Sequence, residues 1–259
     1  MKQLAGKRAL VTGASGGLGR EIAYRLAAEG ADLVLIARRE TELEQTAEQI
    51  RSQGRNALTC VGDVCDPELR SNALTLAEEE LGGLDLLVNN AGVGAHGRFH
   101  ESDPTRLEQV FRLNVFAVAD WTRAAIPLLQ QRSDPAVINV GSVLGWRGAA
   151  HNSEYCASKF ALRGFSESIR PELAQLGIHL LHASPGPIDT EFFDHMVERR
   201  EGFPWRERRG VSPEQCADKI VKALLRRRSE VIIGFQAWWF VHAARLAPGL
   251  MDRVMNRYG

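Results

Sequence analysis

Apolar residues along this chain fall into short, largely continuous runs separated by stretches with helical spacing. The runs are Ala9-Leu10-Val11, Leu33-Val34-Leu35-Ile36, Ala57 to Val61, Leu84 to Val88, Ala136 to Val140, Ile178 to Leu181 and Val231-Ile232-Ile233. Between them, helical patterns cover roughly Arg20 to Glu29, Glu40 to Gln53, Pro67 to Leu81, Thr105 to Gln131, Glu154 to Leu176 and Pro213 to Arg227. A run without polar alternation is buried on both faces, and runs that alternate with helices pair in parallel through right-handed crossovers. The pattern predicts an α/β fold: a doubly wound, seven-stranded parallel sheet with helices on both faces. No repeat or low-complexity linker divides the series, so residues 1–259 read as a single domain.

Composition narrows the function. The chain is 44% hydrophobic and 25% charged, enough apolar content for a sizeable core and too much for disorder. Thirty-two basic residues balance thirty-two acidic ones, which gives no support to a nucleic-acid partner. Cys60, Cys65, Cys156 and Cys216 are too scattered for a disulfide framework and lack metal-site spacing. They read as thiols of a reducing, cytoplasmic compartment. The first eight residues lead into the first strand without a secretory pattern, and no run of apolar residues is long enough to span a bilayer.

The segment from Thr12 to Gly19 joins the first strand to the first helix. Gly13 can turn the chain sharply, Gly17 lets a pyrophosphate approach the backbone, and Gly19 allows close helix–strand packing. Free N–H groups, with Ser15, Gly16 and Leu18 among them, and the helix dipole then favour phosphate. The turn predicts a dinucleotide. After the second strand come Arg38 and Arg39, with no acidic residue to read a ribose hydroxyl; Asp32 lies at the strand's start. The fork of Arg38 suits a 2′-phosphate, which favours NADP(H) over NAD(H), although a solvated charge would look the same.

Tyr155 and Lys159 are four residues apart on a predicted helix and share a face, with Phe165, Ile169 and Leu173 as its apolar anchors. Pro171 within that pattern predicts a bend or break. A phenol loses its proton near pH 10, and a neighbouring ammonium favours the phenolate. Ser142 follows the fifth strand, where its hydroxyl can hold a substrate oxygen or serve an ordinary turn. Asn114 interrupts an apolar helical stretch and needs buried partners.

Together, Thr12-Gly13-x3-Gly17-x-Gly19, Asn89-Asn90-Ala91-Gly92, Asn114, Ser142, Tyr155-Cys156-Ala157-Ser158-Lys159 and Pro185-Gly186 resemble the motifs of short-chain dehydrogenases/reductases, in the same order. The resemblance runs from about Lys7 to Ile233. It implies a Rossmann-like fold and hydride transfer between a nicotinamide and a carbonyl or secondary alcohol. Tyr155 would move the proton, and Lys159, Ser142 and Asn114 would assist. It further implies that Asn114 holds a water leading to Lys159, that Asn90, Ala91 and Gly92 steady the sheet edge, and that Asp63 and Val64 meet the adenine. Ile188 and Thr190, after Pro185-Gly186, would meet the carboxamide. Homodimers or homotetramers through the two long helices are usual for such proteins.

The substrate is less legible. Segments 93–100, 143–152 and 191–211 are expected to wall the pocket, the last as a lid. Its Phe192, Phe193, Met196, Phe203 and Trp205 suit an apolar substrate or simply pack the lid down. Arg147 and Arg206 are candidate anion holders. The tail, 235–259, carries Phe235, Trp238, Trp239 and Phe240, then Arg245, Arg253 and Arg257. It resembles tails of hydroxysteroid-type relatives that cover the pocket and touch lipid; peripheral membrane contact and packing against protein both fit. His96, His100, His151 and His195 are expected at the pocket, His179 and His182 as structural. A 3-oxoacyl reductase and a non-catalytic dinucleotide-binding regulator are the competing readings.

Overall fold

The computed structural model describes residues 3–192, 196–197 and 210–255. Seven parallel strands form one sheet: β1 (Arg8–Thr12), β2 (Asp32–Ala37), β3 (Ala57–Val61), β4 (Leu86–Asn89), β5 (Ala136–Val140), β6 (His179–Pro185) and β7 (Glu230–Ile233). Their order, β3-β2-β1-β4-β5-β6-β7, reverses between β1 and β4. Crossovers on either side of that point leave a crevice beyond the carboxyl ends of the strands, where ligands bind in open α/β sheets. The expected Rossmann-like α/β class is the fold observed.

Each run of apolar residues feeds both faces of the sheet. On one face, Leu33, Leu35, Leu86 and Ile138 pack with α1 (Gly17–Ala28), α2 (Glu40–Ser52) and α7 (Pro213–Leu225). On the other, Leu10, Val34, Leu87 and Val137 pack against α3 (Pro67–Leu81), α5 (Ala117–Gln130) and α6 (Ser153–Gln175). Local chemistry sets several helix ends. Asp66 caps α3 by accepting the N–H of Glu68 at 2.9 Å, Pro67 occupies its first turn, and Gly82 ends it at φ +76°. Ser212 and Pro213 open α7 in the same way.

Three differences from the sequence pattern matter. The helical stretch from Thr105 is α4 (Thr105–Phe111), then a π turn over Arg112–Phe116, then α5. The π turn widens the helix by one residue and presents Asn114 inward. Second, α6 runs unbroken through Pro171. Pro171 lies on the exposed face, where water can satisfy the freed carbonyl, while Leu173 stays buried. Third, the buried line of α6 runs through Ser158, Leu162, Ser166 and Leu173; Phe165 is only partly buried. After β7 the chain forms α8 (Phe235–Leu246) and α9 (Pro248–Met255), parted at Ala247 before Pro248. No helix among the described residues is long and apolar enough to cross a membrane.

Candidate active site

A cavity of about 950 Å³ opens along the carboxyl edge of the sheet. Of the residues singled out in the sequence, Gly13, Ser15, Gly16, Gly17, Leu18, Gly19, Arg38, Arg39, Asp63, Val64, Asn90, Ala91 and Gly92 line its inner part. Ser142, Tyr155, Lys159, Pro185, Ile188 and Thr190 line the remainder. Two do not: Asn114 is buried behind the wall, and Gly186 packs against Ala237 of α8.

The glycine turn is built for close approach. Gly13 and Gly17 hold φ of +71° and +52°, left-handed values that side chains disfavour. A side-chain carbon at Gly19 would stand 2.1 Å from the carbonyl oxygen of Gly13 and 2.4 Å from Nδ2 of Asn90. Asn90 braces the turn by donating to the carbonyls of Thr12 at 3.0 Å and Gly13 at 3.3 Å. Such a cradle, with the amino end of α1 behind it, fits a dinucleotide pyrophosphate.

At the end of β2 the two arginines diverge. Arg38 is exposed at the cavity edge, whereas Arg39 lies over the turn, its Nε 3.3 Å from Oγ of Ser15. A side-chain carbon at Gly16 would meet Nη2 of Arg39 at 2.5 Å. Glu191 and Glu42 hold the other guanidinium nitrogen at 3.3 and 3.4 Å. Asp32 is engaged elsewhere, accepting the N–H of Asn56 at 2.8 Å.

One helical turn separates Tyr155 from Lys159 at the start of α6. The Lys159 ammonium lies 5.7 Å from the centre of the Tyr155 ring and donates to the carbonyl of Val140 at 3.0 Å. Ser142 stands near enough to Tyr155 to lower its phenol, and accepts the N–H of Leu144 at 3.1 Å. Burial dominates the electrostatics. It pushes the Tyr155 phenol above its ordinary range, and Ser142 pulls it only partly back. Burial also brings Lys159 down to about 8. The expected acidification of Tyr155 joined the ammonium to an oxidised nicotinamide; among the chain's own groups, burial outweighs Ser142 at the phenol. With the chain's own groups the phenol stays protonated at neutral pH, ready to donate.

Asn114 is fixed by three bonds. Its Oδ1 accepts the N–H of Val93 at 2.9 Å, and its Nδ2 donates to the Val93 carbonyl at 2.9 Å and Ser158 Oγ at 3.0 Å. One lone pair of Oδ1 remains for a further donor. Gly92 leaves room beside it: a side-chain carbon there would meet Oδ1 at 3.1 Å and Lys159 Nζ at 3.6 Å. Behind Tyr155, Arg106 and Glu154 form a buried ion pair that ties α4 to the first turn of α6, with Nε to Oε1 at 3.0 Å.

The outer cavity is apolar. Leu144, Phe192, Met196, Phe240, Met251 and Met255 line it, and the Phe192 ring lies 5.8 Å from that of Tyr155. Thus α8 and α9 form a wall of the cavity, as the resemblance of the tail implied. The wall is fastened to the loop after Ser142. Arg147 pairs with Asp252, which removes Arg147 as a ready anion holder. The guanidinium groups of Arg163 and Arg245 lie 3.5 and 5.0 Å from the centre of the Trp146 ring, and its indole donates to Ser184 Oγ at 3.0 Å. Of the expected pocket histidines, the three that are described lie elsewhere: His96 is buried, His100 is exposed beside Glu101, and neither they nor His151 line the cavity. Phe193, His195, Phe203, Trp205, Arg206 and Arg257 lie outside the described residues, with most of the expected 191–211 lid.

Comparison with known proteins matches this architecture. The short chain dehydrogenase family model covers residues 7–201, and the chain belongs to that family. It is 30% identical to the Ketoacyl reductase HetN of Nostoc over all of this chain and 91% of the relative. It is 32% identical to the Hydroxysteroid 11-beta-dehydrogenase 1-like protein B of Xenopus laevis, over 99% of this chain and 88% of that one. Among solved structures, a short chain dehydrogenase/reductase from Burkholderia phymatum in complex with NAD superposes with a TM-score of 0.87 at 27% identity, covering 97% of each chain. A short chain dehydrogenase from Burkholderia cenocepacia in complex with NADP gives 0.80 at 29% identity, over 89% of this chain and 97% of that one. The protein is thus an oxidoreductase of the short-chain type that uses a nicotinamide dinucleotide.

Proposed function

We propose that the protein is an NADP(H)-dependent oxidoreductase that interconverts apolar ketones and secondary alcohols. The observation that carries this reading is the meeting of Tyr155, Ser142 and Lys159 on the wall that joins the glycine cradle to the apolar chamber. A bound nicotinamide supplies the hydride donor or acceptor. Ser142 holds the substrate oxygen. Tyr155, protonated at neutral pH, gives its proton to that oxygen in reduction and recovers it in oxidation. Lys159 steadies the phenolate, and the free lone pair of Asn114 anchors a water through which Lys159 regains a proton. Gly13 to Gly19 cradle the pyrophosphate, Asp63 and Val64 meet the adenine, Asn90 to Gly92 and Pro185-Gly186 shape the edge, and Ile188 and Thr190 meet the carboxamide.

Two guanidinium groups at the end of β2, and an Asp32 occupied elsewhere, support a 2′-phosphate site and hence NADP(H). Arg39 is the better placed of the two, and Arg38 completes the fork. The apolar chamber supports a hydrophobic substrate. A 3-oxoacyl thioester is the second reading, favoured by the ketoacyl reductase relative. The test is NADPH oxidation over a panel of hydrophobic ketones, ketosteroids and 3-oxoacyl thioesters. Tyr155→Phe is expected to lose at least about a hundredfold in kcat. Wild-type turnover by that variant overturns the proton-transfer role, whereas no turnover by the wild type over the whole panel leaves the regulator reading. Arg38→Ala and Arg39→Ala are expected to raise KM for NADPH far more than for NADH; equal rises remove the phosphate site.

Two surfaces extend the reading. Phe235, Trp238, Trp239, Leu246 and Leu250 are exposed on α8 and α9, with Arg245 and Arg253 beside them, which supports a peripheral membrane contact of a cytoplasmic protein. Flotation with anionic vesicles is the assay, and failure to float removes the contact. Phe116 and Phe160, exposed beside the long helices, support a homodimer or homotetramer, which light scattering decides.

A further inference from the structure

A line of buried polar groups crosses the fold beneath the site. Asn89 Nδ2 donates to Thr122 Oγ1 at 3.1 Å and to Asn139 Oδ1 at 2.9 Å. Asn139 Nδ2 donates to Ser166 Oγ at 3.0 Å, and the Ser166 hydroxyl donates to the Leu162 carbonyl at 2.7 Å. Its only proton so engaged, Ser166 Oγ can do no more than accept from His182, whose Nδ1 is 3.2 Å away. The imidazole proton therefore sits on Nδ1, and Nε2 carries a bare lone pair. That nitrogen is buried and has no hydrogen-bond partner among the described residues.

The ring edge points at a glycine. A side-chain carbon at Gly141 would stand 2.5 Å from Nε2 of His182 and 2.6 Å from Cε1. Gly141 is the residue between β5 and Ser142, and its N–H donates to the Ala183 carbonyl at 2.7 Å. The histidine ring thus fills the room that Gly141 leaves. The charges around the ring are Lys159, Arg163 and Arg170 from α6, with Glu230 opposite in the β6–β7 register. Burial and the three cations bring the imidazole down to about 3, so it is neutral at working pH and does not switch.

We propose that His182 is a positioning residue for the reaction: its ring edge, oriented by Ser166, sets the backbone at Gly141 and so aims the Ser142 hydroxyl at Tyr155. This rests on the role proposed for Ser142. It assigns work to a side chain that neither lines the cavity nor touches substrate.

Two sets of variants test it. His182→Asn keeps a donor within reach of Ser166 but removes the ring edge. Its melting temperature is expected to stay close to the wild type's while kcat falls roughly tenfold, the scale of a small misplacement, with KM for NADPH unchanged. In a Ser142→Ala background the same substitution should lower kcat no further, because the group it aims is gone. Gly141→Ala should lower the melting temperature, and adding His182→Ala should recover part of that loss. Recovery is partial because the Ala183 carbonyl stays 3.2 Å from the new methyl. Wild-type kcat in His182→Asn overturns the proposal. So does an equal fall in kcat with and without Ser142, or an equal cost of Gly141→Ala with and without the ring. Wild-type turnover by Ser142→Ala itself overturns the Ser142 role, and the proposal with it. A slow Ser142→Ala beside an unaffected His182→Asn overturns the proposal alone.

Discussion

Gly19→Ala puts the helix–strand junction to a quantitative test. The added methyl would lie 2.1 Å from the Gly13 oxygen, 2.4 Å from Asn90 Nδ2 and 2.8 Å from the Gly13 carbonyl carbon. Asn90 can swing aside, but the Gly13 atoms are backbone. Relief needs α1 to retreat from the turn by roughly 1 Å, an overpacking cost of about 1–3 kcal/mol. Displacing Asn90 from Thr12 and Gly13 adds about 1 kcal/mol for each bond lost. A total of about 3–5 kcal/mol corresponds to a melting temperature lower by roughly 6–20 °C in a chain of this size. NADPH affinity should fall about tenfold or more, because the cradle moves with α1. Gly164→Ala is the control. Gly164 lies inside α6, is exposed, and has nothing within 4 Å of an added carbon. Removing a flexible residue there should raise stability by about 0.5–1 kcal/mol. Calorimetry and NADPH fluorescence titration read both. Unchanged melting and affinity in Gly19→Ala, or a loss in Gly164→Ala as large as in Gly19→Ala, would refute the packing argument.

Two further outcomes follow from buried charge. Lys159 is protonated below about pH 8 in the folded chain but up to about 10.5 when unfolded, so the fold bears its desolvation most heavily at neutral pH and less as pH rises. The stability of Lys159→Met relative to wild type should therefore be greatest below pH 8 and decline by up to about 3 kcal/mol toward pH 10.5; a difference flat with pH across that window, measured by denaturant titration, contradicts the burial. For the Arg106–Glu154 pair, Arg106→Met should cost about 3–5 kcal/mol by stranding a buried carboxylate, and Arg106→Met with Glu154→Leu should recover most of it. A double variant no more stable than the single one would show that neither charge depends on the other.

How far the sequence could be read depended on whether a residue's role is local. The bounds of β3, β5 and α3 follow from apolar runs and from Asp66, Pro67 and Gly82, all short-range signals. Tyr155 and Lys159 were visible because four residues on a helix fix a shared face. The π turn was not, because Arg112 to Phe116 carry the same periodic apolar pattern as the helix around them; only Asn114 hinted at it. Arg38 and Arg39 are adjacent, and which one swings over Gly16 is decided by Ser15 and Glu191, far apart in sequence. The desolvation of Tyr155 was not visible, because a charge four residues away is apparent in a sequence and burial is not. The contact between His182 and Gly141 was not visible either, because Gly141 signals only by lacking a side chain.

The fastening of α8 and α9 to the loop after Ser142 has a consequence for how such an enzyme can change. Tyr155 and Lys159 stand on α6 and Ser142 follows β5, whereas much of the outer cavity wall comes from the last two helices, joined to the rest by Arg147, Asp252 and the Trp146 contacts. An exchange beyond Gly234 would renew the outer wall while Tyr155, Lys159 and Ser142 keep their places, provided the new segment preserves the contacts that Trp146, Arg147 and Gly186 make with α8 and α9.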